Sequence, residues 1–83
     1  MDAGISDLIQ VTVTVDPHCV EHLLEALANL PYYINPELRY EEWHTHVDFP
    51  AYVSWLPDLR RTIADPNLEC ARLSYGTALQ AAI

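Results

Sequence analysis

The first pattern along the chain is an alternation of apolar and polar residues over positions 8–15, LIQVTVTV. The odd positions from 9 onward hold Ile9, Val11, Val13 and Val15. A period of two is typical of a strand with one buried face, because successive side chains of a strand point to opposite sides. We therefore predict a first strand over residues 8–15 whose odd positions face the core.

A helical pattern follows this strand. Asp16 offers a capping carboxylate, and Pro17 suits the first helical position, where its missing N–H has no partner to lose. Apolar residues then recur at helical spacing until Pro31, which predicts a helix that ends near residue 29 or 30. The apolar stripe consists of Val20, Leu23, Leu24, Leu27 and Leu30. The polar face consists of His18, Glu21, His22, Glu25 and Asn29.

The middle of the chain permits two arrangements. Residues 37–49 alternate in polarity, as one long strand beside residues 32–34 would, or as two strands that fold at Glu41-Glu42 would. Because Glu-Glu is unsuited to a two-residue turn, a hairpin with a longer or irregular connection is favoured. The face that we expect to be buried holds Trp43, Thr45, Val47 and Phe49. The other face holds His44, His46 and Asp48.

The final third of the chain predicts a second helix and a last strand. Residues 50–53 are expected to form a connector, after which Ser54 is the predicted N-cap and Pro57 lies in the first helical turn. Residues 65–67 end this helix, residues 68–75 form the last strand, and the apolar tail 77–83 is expected to be buried or paired. The apolar face of the helix consists of Trp55, Leu56, Leu59 and Ile63, with both tryptophans of the chain predicted to lie in the core.

The resulting order is strand, helix, strand, strand, helix, strand. Right-handed crossovers then place both helices on one face of an antiparallel sheet, which predicts the α+β class and a ferredoxin-like β-α-β-β-α-β sandwich. A length of 83 residues predicts a single small domain over residues 1–83. This topology serves many unrelated functions, so it does not by itself indicate one.

Composition narrows the function classes. Twelve acidic residues against four basic ones, all arginine, give a net charge of −8, which argues against direct nucleic-acid binding. Two glycines are too few for the glycine-rich loops that hold nucleotides. No apolar run reaches the roughly 18 residues that a membrane span needs. The N-terminus lacks the basic residues of a signal peptide, and the two cysteines lack metal or redox spacing, so we expect a cytoplasmic protein.

The predicted sheet leaves one face without helices, and this face carries the candidate chemistry. The predicted binding surface there consists of Thr12, Thr14, His44, His46 and Asp48. Three tyrosines, Tyr32, Tyr33 and Tyr40, are further candidates for a partner surface. His44 and His46 lie two apart on a predicted strand, so they offer two nitrogens to a divalent metal, with Asp48 or a second chain completing its ligands. A simply solvated face is the alternative.

Three functions follow from these features. The first is a non-catalytic interaction module that acts through protein–protein contact, as a homodimer, as a subunit of an assembly, or as an acidic inhibitor of a basic-surfaced partner. The second is a histidine-based divalent-metal-binding or metal-sensing protein. The third is a small cofactor-free enzyme of dimeric α+β type, with His44 or His46 as general base. Because the sequence contains no recognisable catalytic motif, the first is favoured, with no cofactor and no catalytic residue.

Overall fold

A computed structural model of the protein describes residues 8–68 and 71–76. In these ranges it is an α+β protein with a four-stranded antiparallel sheet and two α-helices. The strands are β1 (Leu8–Val15), β2 (Glu37–Tyr40), β3 (Thr45–Tyr52) and β4 (Arg72–Gly76). The helices are α1 (Val20–Ala28) and α2 (Leu56–Ile63), and short 3₁₀ turns cover Pro17–Cys19, Val53–Trp55 and Pro66–Leu68.

The sheet has the strand order β2-β3-β1-β4, and every neighbouring pair is antiparallel. The long strands β1 and β3 therefore lie in the middle. Their register places Val11 opposite Phe49 and Thr12 opposite Asp48. Because side chains alternate along a strand, this register fixes which residues face the helices and which face the open side.

The core lies between the sheet and both helices. The odd-numbered residues of β1 are buried, as the alternation predicts, and Phe49 is fully buried opposite them. The helices contribute leucines to the same cluster, and these fall on the predicted apolar stripes. The buried helical leucines are Leu23 and Leu27 in α1, and Leu56 and Leu59 in α2. Burial of this single cluster is the main term that stabilises a domain of this size.

Strands β2 and β3 form a hairpin whose connection spans residues 41–44. The Glu41 N–H donates to the carbonyl of His44 at 2.9 Å and closes the loop. The hairpin alternative is thus confirmed, and the single long strand is wrong. Trp43 lies in this loop with 73% of its surface exposed, so its predicted place in the core is wrong. The alternation that predicted a buried Trp43 begins only at Thr45, because residues 41–44 form the connection of the hairpin.

Strand β3 continues through Pro50 to Tyr52, so the predicted connector over residues 50–53 is wrong. Proline is unusual inside a sheet because it has no N–H for the ladder. The last β3 residue that pairs with β2 is Asp48, opposite Glu37. Within the described ranges Pro50 therefore pairs with β1 alone, at a border of the sheet where a missing donor is tolerated.

Both helices begin differently from the prediction. Asp16 occupies the N-cap position of the 3₁₀ turn that precedes α1, and its side chain makes no capping hydrogen bond. Helix α2 begins at Leu56 with Trp55 in the N-cap position, so the predicted cap at Ser54 is wrong. The last strand begins at Arg72 rather than at residue 68. Leu68 instead ends a 3₁₀ turn and is buried in the core. The tail 77–83 and Cys70 lie outside the described residues.

We expect Phe49→Ala to lower the free energy of unfolding by about 3–5 kcal/mol, because it removes a fully buried ring from the centre of the core. Trp43→Ala removes a larger but exposed ring and should change it by less than about 0.5 kcal/mol. Urea unfolding followed by circular dichroism measures both values. A large loss in Trp43→Ala would restore the core position that the sequence alternation assigned to this residue.

Candidate functional site

The open face of the sheet carries a hydrogen-bonded cluster around Asp48. Thr12 Oγ1 donates to Asp48 Oδ1 at 2.6 Å. Arg39 Nε donates to Oδ2 at 2.5 Å, and Nη2 donates to Oδ1 at 3.2 Å. Asp48 is buried, with 8% of its surface exposed. The hydrogen bonds from Arg39 lower the pKa of Asp48 below its ordinary value, and the hydrogen bond from Thr12 lowers it further. Burial raises this pKa, but by less. We call these three residues the Asp48 cluster.

A second chain of hydrogen bonds runs through His46. Thr14 Oγ1 lies 2.8 Å from Nδ1 of His46, and Nε2 of His46 lies 2.9 Å from Oε1 of Glu41. The imidazole is 18% exposed and the Glu41 side chain 59%. The hydrogen bond from His46 lowers the pKa of Glu41, and the histidine charge acts in the same direction. Both ring nitrogens of His46 thus form hydrogen bonds, one with Thr14 and one with Glu41. We call Thr14, His46 and Glu41 the His46 chain.

The strand register explains why these particular side chains meet. Thr12 lies directly opposite Asp48, and Thr14 lies directly opposite His46. Arg39 lies opposite His46 and is the diagonal neighbour of Asp48, which faces Glu37 across the ladder. Facing carboxylates on neighbouring strands repel each other, and a diagonal guanidinium relieves that repulsion. Arg39 and Glu41 are absent from the sequence-predicted site, because their positions follow only from the loop length of the hairpin.

His44 lies in the exposed connection before β3 and not on the strand itself, where the sequence pattern put it. Its charge contributes to lowering the pKa of Glu41. Over residues 8–68 and 71–76 no group of three or more His, Cys, Asp or Glu side chains could hold a metal ion. A metal at His46 would also have to displace Thr14 or Glu41 from the ring. Divalent-metal binding by His44 and His46 stays a prediction.

The three candidate tyrosines have different environments. Tyr32 stacks on Trp55 with ring centroids 4.4 Å apart, and its hydroxyl donates to Asp58 at 2.5 Å. That hydrogen bond raises the pKa of Tyr32. Through these two contacts Tyr32 connects the segment after α1 to the start of α2. Tyr33 and Tyr40 are 87% and 75% exposed, so both are open to a partner.

The end of the β2–β3 hairpin combines exposed rings with carboxylates. Residues 40–44, which we call the hairpin tip, are all exposed and have the sequence YEEWH. Tyr40 and Trp43 supply the rings, and Glu41 and Glu42 supply the charge. The loop is held at its base by the backbone bond between Glu41 and His44 and by the side-chain bond to His46. Large rings on a braced acidic loop form a surface suited to contact with another molecule.

Comparison with known proteins assigns no family. No family model, curated protein or solved structure matches the chain. Within the described part of the chain, no helix has both the length and the apolar character to cross a membrane. The function must therefore be argued from the geometry of the hairpin tip and of the open sheet face.

We expect Asp48→Asn to lower the free energy of unfolding at pH 7 by about 1–3 kcal/mol, because it removes charge-assisted bonds to a buried group. The pKa of Asp48 is lowered in the folded protein. Its ionised form therefore stabilises the fold above the unfolded carboxyl pKa of about 4, and this contribution disappears as the pH falls through the lower folded value. The difference from the natural chain should shrink as the pH falls below about 4.

Urea unfolding between pH 7 and pH 2 measures this difference, with Glu42→Gln as the matched control. Glu42 is exposed in the hairpin loop, so its neutralisation should change stability by less than about 0.5 kcal/mol. A constant difference across the whole pH range would show that the loss in Asp48→Asn does not come from the charge.

Proposed function

We propose that the protein is a non-catalytic interaction module that binds a second protein through the hairpin tip. The observation that carries this proposal is the exposure of Tyr40 and Trp43, at 75% and 73%, on one short braced loop. Tryptophan and tyrosine supply much of the binding energy at protein interfaces. Leaving two such rings in water is unfavourable for a lone small domain, and a partner that covers them would remove that cost.

The charge around the tip indicates the kind of partner. Glu41 and Glu42 flank the rings, and Glu37 lies further along β2. Arg39 is the basic residue of this hairpin, and its guanidinium is engaged by Asp48. With a net charge of −8, the chain favours a partner with a basic surface, since complementary charge raises the association rate and selects against acidic competitors. This is the acidic-inhibitor form of an interaction module, and a cytoplasmic setting belongs to the same proposal.

We assign a supporting role to the open face of the sheet. Thr12, Thr14, His46 and Asp48 direct their polar atoms at one another and at the hairpin. A partner that covered this face would have to remove water from ion pairs that are already satisfied, which costs free energy without a new bond in return. The Asp48 cluster and the His46 chain instead hold β2 and the tip against the central strands.

We also infer that the architecture is the ferredoxin-like β-α-β-β-α-β sandwich. The supporting observations are the alternation of strands and helices along the chain, the central position of β1 and β3, and the shared cluster that both helices fill. In this arrangement the β2–β3 hairpin projects beyond a rigid sheet, which suits a loop that acts by contact.

Trp43→Ala should abolish capture of the partner, because it removes the largest exposed ring of the tip while the core stays intact. The experiment immobilises the protein, exposes it to an extract of the cells that naturally produce it, and quantifies bound proteins by mass spectrometry. Glu41→Gln combined with Glu42→Gln should weaken capture and reduce its sensitivity to salt.

Tyr75→Ala is the control for this experiment, since Tyr75 is an exposed ring on β4, at the opposite edge of the sheet from β2. It should retain full capture. The proposal fails if Trp43→Ala and the natural chain retain the same proteins, or if Tyr75→Ala alone loses them. It also fails if every protein that the natural chain captures is captured equally by an unrelated immobilised acidic domain.

The His46 chain favours one further candidate, an enzyme in which His46 is a general base. The hydroxyl of Thr14, the imidazole and the carboxylate of Glu41 stand in the order that activates a nucleophile in acyl transfer. In that case His46→Asn and Thr14→Val should each abolish hydrolysis of an activated ester, whereas Trp43→Ala should retain it. Equal background hydrolysis in all three variants would remove this candidate.

A further inference from the structure

A trough lies beside α1, and none of its lining residues belongs to the hairpin tip. One part is a cavity of about 380 Å³ between α1 and the segment that follows it. Leu24, Leu27 and Ala28 line it from α1, and we call these residues its floor. Tyr33 and Ile34 line it from the segment after α1, and we call these its wall. Leu27 is buried, and Tyr33 is strongly exposed. The cavity thus exposes an apolar floor beside a free aromatic ring.

A second and more open hollow adjoins the first. It has a volume of about 450 Å³ and is lined by Glu21, Leu24, Glu25 and Ala28. Leu24 and Ala28 line both hollows, so the two form one continuous surface. We call this surface the α1 trough. It has an apolar floor, an aromatic wall on one side and a carboxylate rim on the other.

The rim carries negative charge that the described residues do not neutralise. Glu21 and Glu25 lie four residues apart on α1, so their side chains lie on the same side of the helix. Both are exposed, and neither forms an ion pair within residues 8–68 and 71–76. The residues that line the two hollows include no arginine and no histidine. A ligand for this surface needs an apolar side and a basic border.

We propose that the α1 trough binds a basic amphipathic helix of a partner protein. An apolar side chain of that helix enters between Leu24 and Tyr33, and lysine or arginine side chains at its border meet Glu21 and Glu25. Grooves recognise amphipathic helices in this way, with apolar anchors three and four residues apart and charged residues at the edge. The trough shares no residue with the hairpin tip, so this binding site is additional to the one proposed above.

Charge argues against a second copy of the chain as the occupant. Two α1 troughs that faced each other would bring Glu21 and Glu25 of both copies together, and like charges across an interface are unfavourable. A neutral apolar molecule would leave the rim without a partner. The basic helix is the occupant that uses both the floor and the rim.

The test titrates the protein with a labelled synthetic peptide of leucine and lysine, roughly 14 residues or four helical turns long, and follows fluorescence anisotropy. A scrambled peptide of the same composition lacks the apolar stripe and should bind at least about tenfold more weakly. Leu24→Gln, and Glu21→Gln combined with Glu25→Gln, should each weaken binding of the patterned peptide by about tenfold or more.

The matched control is Glu41→Gln combined with Glu42→Gln, which removes the same charge from the hairpin tip. It should leave peptide affinity within about twofold. Tyr33→Ala gives a second trough variant whose folding is secure, because that ring is 87% exposed. It should weaken binding without changing the circular dichroism spectrum.

Three results would overturn the proposal. They are equal binding of the scrambled peptide, equal weakening by the hairpin-tip control, and self-association of the unliganded chain that Leu24→Gln abolishes. The third would make a second copy the occupant. None of them contradicts capture of a partner through Trp43, so failure of the trough and failure of the hairpin tip are distinguishable.

Discussion

The register of β1 against β3 is the constraint on which the rest of the structure depends. It pairs eight residues of each strand and puts Val11 opposite Phe49 while Thr12 meets Asp48. A slip by one residue would turn the apolar set toward water and bury the polar set. The hydrophobic cost of that exchange fixes the register. The polar contacts of the open face then follow from the positions that burial has already set.

The polar contacts in turn position β2, a short strand at one edge of the sheet. Strand β2 has four residues, with no buried side chain among them. Leu38 packs against the core while partly exposed, so hydrophobic burial contributes less to the position of β2 than to that of β1 or β3. Arg39 on β2 and Glu41 just beyond it reach Asp48 and His46 on β3, and threonines of β1 complete both sets of bonds. The side chains of β2 are thus tied to the central strands largely by electrostatic and hydrogen-bonding contacts.

The hydrophobic periodicity of the sequence predicted the strand and the helix whose positions depend on the burial of one face. The alternation of β1 and the stripe of α1 were confirmed because each is a periodic consequence of one face packing on the core. Trp43 and Pro50 were misplaced for a different reason. Whether an alternating segment continues as one strand or turns into a hairpin depends on its partner strands. Pro50 is tolerated in β3 because β2 begins only at Glu37, opposite Asp48. Arg39 and Glu41 could not be assigned to the site, because their neighbours depend on the length of the hairpin loop.

The proline in β3 has a consequence for how molecules of this protein behave together. Past Asp48 the strand pairs with no residue of β2, so within the described ranges its border there has no strand neighbour on that side. Open strand borders are templates on which a second chain adds by backbone pairing, and that is a route to aggregation. Pro50 offers no N–H to an incoming strand. This single proline thereby removes one of the hydrogen bonds that an added strand would need along this part of β3.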